Sequence, residues 1–247
     1  MVIYAPFVRM SDVFEPGWTR LADTRMGRSL RSRADVLRNK PPRFKQEQAR
    51  MVNTAFAYVA HGNIPGHYLE FGVLEGGTFV RAWRAAHRNG ITDMRFFAFD
   101  SFRGLPRPSE VDQGGEFREG ELAVSRNVFE DTLRRGGVGP ACVTVVEGFF
   151  DTSLDRSQQP AMGLDAAAIV WIDCDLYVST VPVLDYITDL LVDGSVVVFD
   201  DWYCYHARPD RGEQRACTEW LDRNPDVTLV PYRDFHWAGR SFIVNRK

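Results

Sequence analysis

Two apolar, β-branched runs of this chain end abruptly in carboxylates: Ala168–Tyr177 (AIVWIDCDLY) and Val196–Asp201 (VVVFDD). In an open parallel sheet such runs are buried strands, and the residues at their C-terminal ends stand where ligands bind. Asp173 closes the first run, and the pair Asp200–Asp201 closes the second. Three carboxylates at one sheet edge repel one another unless a cation neutralises them. An all-oxygen set suits Mg²⁺ or a similar hard ion, which keeps waters that a substrate can displace. Asp173, Asp200 and Asp201 are therefore candidate metal ligands. Asp175, two residues beyond Asp173, reads as a residue that orients or supports the site.

A second constellation lies upstream. Glu70-Phe71-Gly72-Val73-Leu74-Glu75-Gly76-Gly77-Thr78 has the pattern of a strand, a glycine turn and a helix start. Glycines let the backbone approach a ligand closely, and a helix N-terminus favours an anionic group. The GxGxxG spacing is absent, and Glu70 and Glu75 would sit badly beside a pyrophosphate. That disfavours a nicotinamide dinucleotide and suits a ligand with a cationic end, such as the amino group and sulfonium of S-adenosylmethionine. Asp100, 30 residues after Glu70, closes the next apolar run where a carboxylate can accept from ribose hydroxyls. Glu147-Gly148-Phe149 closes a third and could line an adenine pocket.

The residues after the second acidic pair are less directive. His206, Arg208 and Arg215 are candidate substrate contacts, although a solvated loop histidine is the plainer reading of His206. Trp202, Tyr203 and Tyr205 could stack on a sugar face or simply cover the core. Tyr177 and Thr180 read as helix-start residues behind the acidic motif, with Tyr177 also a candidate substrate contact. His236 and Trp237 fall in a late hairpin turn, where a surface role is expected.

The elements that must position these groups follow from periodicity. Phe44–Ala60 has helical spacing and stops at Asn63-Ile64-Pro65-Gly66. Strands are expected at Tyr68–Gly72, Met94–Phe99, Cys142–Val146, Ile169–Ile172 and Val196–Phe199. Helices are expected from Gly76 to about Arg88, and over Ser125–Arg135, Thr180–Leu191 and Gly212–Arg223. The segment Phe102–Phe117, rich in Pro, Gly and charge, is long enough to act as a lid. Alternating strands and helices argue for a doubly wound parallel sheet. Val227–Pro231 and Ser241–Val244, with no clear helix between them, suggest an antiparallel closing hairpin.

The 247 residues and 45% hydrophobic content fit one large α/β domain. A net charge of −3 gives no reason to expect nucleic-acid binding, but the charge is unevenly spread. Residues 1–50 carry +6 and the remainder −9. The basic stretch, interrupted by Pro41–Pro42, reads either as a solvated arm or as a cap over residues 1–43 that pairs with an anionic substrate group. The four cysteines have no CxxC spacing, and Cys142 and Cys174 read as small core residues. No apolar run is long enough to span a bilayer and no signal-peptide core is visible, so a cytoplasmic protein without a membrane partner is expected.

The blocks YLEFGVLEGGTF, FFAFDSFRGLP, VVEGFFDTSL, WIDCDLYVSTVPVL and VVVFDDWYCYHARPDRGEQRACTEWL, in this order between Tyr68 and Leu221, resemble the macrocin O-methyltransferase family, over a stretch from about Phe44 to the C-terminus. The resemblance implies a Rossmann-like, class I methyltransferase fold, with a seven-stranded sheet closed by an antiparallel hairpin. It implies S-adenosylmethionine and Mg²⁺ as cofactors, a sugar or glycoside as acceptor, and a homo-oligomer. By motif, Glu70, Gly72 and Gly76 would line the methionine end of the cofactor, with Thr78 beside them. Asp100 and Ser101 would lie at its ribose, and Glu147 or Gly148 near adenine. Asp173, Asp200 and Asp201 would hold the metal; Asp173 would also contact the cofactor and, lying closest to the attacking oxygen, accept the acceptor's proton.

Other chemistries fit less of the chain. A metal-dependent glycosyltransferase also ends an apolar strand in Asp-x-Asp, as Asp173-Cys174-Asp175 does, but leaves the Gly76–Gly77 turn and Asp100 without a task. A dehalogenase-type phosphatase would carry that motif on its first strand. A cofactor-binding sensor without activity would have little reason to keep a destabilising acidic trio.

Overall fold

The computed structural model describes residues 43–113, 115 and 117–247; the basic arm expected over residues 1–43 lies outside them except for Arg43. One sheet holds strands β1 (His67–Phe71), β2 (Phe96–Asp100), β3 (Val143–Glu147), β4 (Ala167–Ile172), β5 (Leu191–Phe199), β6 (Val227–Phe235) and β7 (Gly239–Arg246). Its order is β3-β2-β1-β4-β5-β7-β6. The first five strands are parallel, and β7 runs antiparallel between β5 and β6. The helices are α1 (Phe44–Gly62), α2 (Gly77–Arg88), α3 (Arg126–Gly136), the single turn α4 (Phe150–Ser153), α5 (Tyr177–Ile187) and α6 (Gly212–Arg223).

Period-two alternation explains why the central strands are apolar throughout. Ile169 and Trp171 of β4 face the core layer shared with α1 and α2, whereas Val170 and Ile172 face the layer shared with α5 and α6. A strand covered on both faces has no polar side to show. Glu70 breaks this rule in β1. It shares the α1–α2 face with Tyr68, is 1% exposed, and accepts a hydrogen bond of 2.5 Å from the Tyr68 hydroxyl.

The strand order reverses between β1 and β4, the place where open sheets form a ligand crevice. Gly72 leaves β1 there at φ +85°, and a Cβ on it would fall 1.9 Å from the carbonyl oxygen of Asp173. Only glycine lets the β1 turn lie this close to the β4 turn.

Several boundaries differ from the periodicity reading. Helix α5 starts at Tyr177 rather than Thr180 because its capping acceptor comes from elsewhere. Asp112, 2% exposed, accepts from the backbone N–H of Tyr177 (2.6 Å) and is held by Ser109. Arg211 grips the same loop by donating to the Glu110 and Val111 carbonyls. The expected lid segment is thus tied to the helix behind the acidic motif. Cys142 sits in a 3₁₀ turn (Pro140–Cys142) and is only half-buried, whereas Cys174 is buried. Among the described residues no helix is long and apolar enough to cross a membrane.

Candidate active site

One ligand atom from each of Asp173, Asp175 and Asp201 lies within 4.8 Å of the others. Asp173 and Asp175 flank Cys174 just after β4. Asp175 takes a left-handed φ of +62°, a conformation that non-glycine residues hold only where surroundings impose it. Asp201 follows β5, and its Oδ2 is buried without a hydrogen-bond partner among the described residues. Burial first, then the charges of Asp175 and Asp173, push the Asp201 carboxyl well above its ordinary range. An all-carboxylate set with an unsatisfied buried oxygen fits a hard divalent cation, which would offset both penalties.

Asp200, the expected third ligand, is not in this group; Asp175 is. Along β5, Val196 and Val198 face the α1–α2 layer, and alternation carries Asp200 to the same side. There Gln48 of α1 donates to its Oδ1 at 3.2 Å, and His236 Nε2 lies 3.4 Å from the same oxygen. His236 Nδ1 accepts from the Ala238 and Gly239 N–H groups, which leaves Nε2 to carry the proton toward Asp200. The His236 side chain is only 1% exposed and stacks on Phe44 at 4.0 Å, so the surface role expected for it is overturned. Trp237 beside it is exposed.

Sequence reading missed Glu213. At the start of α6, 2% exposed, it accepts from the Asp201 N–H at 3.1 Å, while its Oε1 is buried without a partner. Burial and the Asp200 and Asp173 charges raise its carboxyl strongly. No spacing rule connects a helix start to an acid twelve residues earlier, so only the fold reveals the pair.

The cofactor-side candidates ring the β1–β2–β3 edge. Asp100 is the hub: Oδ2 accepts from Val73 N–H (2.8 Å) and Leu74 N–H (3.3 Å), and Oδ1 from Phe102 N–H (2.7 Å). A carboxylate accepts about four hydrogen bonds, which leaves room for a ribose hydroxyl. Ser101 donates to the Gly104 carbonyl at 2.8 Å and shapes the loop start. Gly76 caps α2 at φ +83° against the Phe129 ring, and Thr78 is buried in the first turn. Glu147 is 3.4 Å from Arg126, and Gly148 follows at φ +144°.

Burial raises the Glu70 carboxyl to about 8, with the Tyr68 hydrogen bond and Arg81 opposing the rise and Asp200 and Asp100 adding to it. A buried, electrically unbalanced acid is suited to meet an ammonium group. The ligand-free protein should therefore lose stability as pH rises from about 4.5 to 8. Below that window Glu70 is protonated in both folded and unfolded chains, and above it the folded chain must bury the charge. Glu70→Gln keeps an acceptor for Tyr68 and should flatten this slope in thermal melts between pH 5 and 8; an unchanged slope would show that Glu70 is not its source.

The remaining substrate candidates are exposed or half-buried. His206 is exposed. Arg208 is exposed and forks onto Asp210 at 2.9 and 2.7 Å. The Tyr177 hydroxyl is engaged by Glu219 at 2.6 Å, with Arg215 over its ring.

The sheet order, with strand-end acids and a glycine turn at the switch point, defines a class I methyltransferase fold. The calicheamicin methyltransferase CalS11 has the same fold, with a TM-score of 0.66 at 22% identity over 90% of this chain and 93% of that one. Residues 44–220 match the family described as Macrocin-O-methyltransferase (TylF), and the chain belongs to that family. It is 32% identical over 147 residues to 8-demethyl-8-(2,3-dimethoxy-alpha-L-rhamnosyl)-tetracenomycin-C 4'-O-methyltransferase of Streptomyces olivaceus, covering 56% of this chain and 54% of that protein. It is 26% identical over 185 residues to mycinamicin III 3''-O-methyltransferase of Micromonospora griseorubida, covering 70% and 68%. The chain spans just over half the length of two of the curated relatives that it matches.

Proposed function

We propose that this chain is an S-adenosylmethionine- and Mg²⁺-dependent O-methyltransferase that acts on a hydroxyl of a sugar carried by a natural product or a nucleotide. The observation that carries the reading is the Asp173–Asp175–Asp201 cluster at the strand ends beside the Gly72 turn. Relatives named for methylating a rhamnosyl group and a 3''-hydroxyl support the choice of a sugar acceptor.

The cofactors would supply an electrophilic methyl group and Lewis acidity. Glu70, Gly72, Gly76 and Thr78 would hold the methionine end, Asp100 and Ser101 the ribose side, and Glu147 and Gly148 the adenine side. Asp173, Asp175 and Asp201 would hold the metal, with Asp200 fixed behind them by Gln48 and His236. Asp175 is buried, and Asp201 Oδ2 is sealed. Asp173, partly exposed, is the carboxylate best placed to meet the acceptor and take its hydroxyl proton. The lid segment, held by Asp112 and Arg211, would exclude water from the reacting oxygen.

The test is methyl transfer from S-adenosylmethionine to methyl α-L-rhamnopyranoside, TDP-rhamnose and a rhamnosylated aromatic polyketide. The expected outcome is a single added methyl on at least one of them, lost with EDTA and restored by Mg²⁺. Release of free nucleotide from TDP-rhamnose without methylation would favour the glycosyltransferase reading instead.

A further inference from the structure

Tyr205 stands apart from the exposed residues that follow it. Tyr205, His206 and Ala207 all adopt left-handed φ values, +58°, +59° and +56°. One non-glycine residue in this region is uncommon, and three in succession form a turn that chain sterics oppose. Its ring is gripped on two sides. A Cβ on Gly115 of the lid segment would fall 2.2 Å from the ring, and one on Gly212 at the start of α6 would fall 2.8 Å from it. Phe117 packs at 5.9 Å. The residue is 9% exposed, yet its hydroxyl is buried without a hydrogen-bond partner among the described residues. Beyond burial, the strongest influences on the phenol are Asp112 and Asp175, followed by Cys204 and Asp201. A strained turn and two ring-contacting glycines thus hold an unsatisfied donor within electrostatic reach of Asp175 and Asp201.

Resting on the sugar-methyltransferase reading, we infer that Tyr205 is an acceptor-specificity residue, whose hydroxyl donates a hydrogen bond to the sugar oxygen adjacent to the one methylated. Buried donors of this kind discriminate by being left unpaired when the wrong ligand binds. Asp112 accepts from the Ser109, Tyr177 and Val178 groups and not from the Tyr205 hydroxyl.

The test compares wild type with Tyr205→Phe on whichever acceptor of the three-member panel the wild type methylates, and on that acceptor's deoxy analogue lacking the adjacent hydroxyl. The expected result is a rise of about tenfold in KM for the full acceptor. No difference between the two enzymes is expected on the deoxy analogue, and S-adenosylhomocysteine and Mg²⁺ affinities should be unchanged by calorimetry. Gly115→Ala, which displaces the ring and leaves the hydroxyl in place chemically, should reproduce the KM effect. Unchanged KM in Tyr205→Phe, or an equal loss on the deoxy analogue, overturns the assignment while leaving the methyltransferase reading intact. A fall in Mg²⁺ affinity would assign Tyr205 to the metal instead and overturn it as well. A wild type that methylates none of the panel overturns the sugar reading, and the Tyr205 inference with it.

Discussion

Asp201→Asn should lose more than about 100-fold in kcat/KM, since even residues that only support a metal ligand typically cost 10–100-fold. Affinity for S-adenosylhomocysteine should remain, because the groups proposed to hold the cofactor lie at the ends of β1, β2 and β3 and the start of α2 rather than at β5. The same substitution should leave the metal-free protein as stable as wild type or more so. The folded chain holds the Asp201 carboxyl well above its ordinary range, through burial and the charges of Asp175, Asp173, Glu213 and Asp200. Such a group favours folding below its unfolded-state pKa, and that advantage is lost as pH rises toward the folded-state value. At neutral pH and above the wild type bears this penalty; the asparagine variant does not. Adding Mg²⁺ should then raise the melting temperature of wild type only. Activity and stability moving in opposite directions is the signature of a residue kept for its ligand. A variant that keeps wild-type turnover, or melts well below wild type without metal, would remove Asp201 from the metal site.

Gly72→Ala should be nearly as damaging, for a steric reason. The residue sits at φ +85°, and the added methyl would overlap the Asp173 carbonyl at 1.9 Å. Backbone cannot rotate away as a side chain would. Either the β1 turn unwinds, which disturbs the Val73 and Leu74 N–H groups on Asp100, or the β4 turn shifts and takes Asp173 and Asp175 with it. The expected cost is roughly 3 kcal/mol or more, a drop in Tm on the order of 6–12 °C for a domain of this size. Affinity for S-adenosylhomocysteine should fall alongside it. Wild-type melting and binding would mean that the two turns are not in mutual contact.

Much of this was legible in the chain because it rests on local rules. Apolar β-branched runs separated by helical periods specify a parallel sheet buried on both faces, and an acid closing each run falls at the ligand edge. What escaped depends on how a chain leaves its strand. Asp175 joins the cluster because the Cys174–Asp175 turn goes left-handed. Asp200 leaves it because alternation along β5 aims it at α1. That alternation is a sequence property, and applying it beyond Phe199 would have separated Asp200 from Asp201. His236 and Glu213 are different. Each meets an acid of the β5 end only after the hairpin or α6 has folded back, and neither carries a spacing signal.

The carboxylates after β4 and β5 are proposed to form a divalent-cation site beside a cofactor pocket. The most direct measurement is a calorimetric titration of Mg²⁺ into the S-adenosylhomocysteine-saturated protein, repeated with Asp201→Asn. Wild type should bind one ion per chain saturably, and the variant should lose that binding. Equal Mg²⁺ binding by both proteins, or none by wild type that has bound the cofactor product, would contradict that assignment.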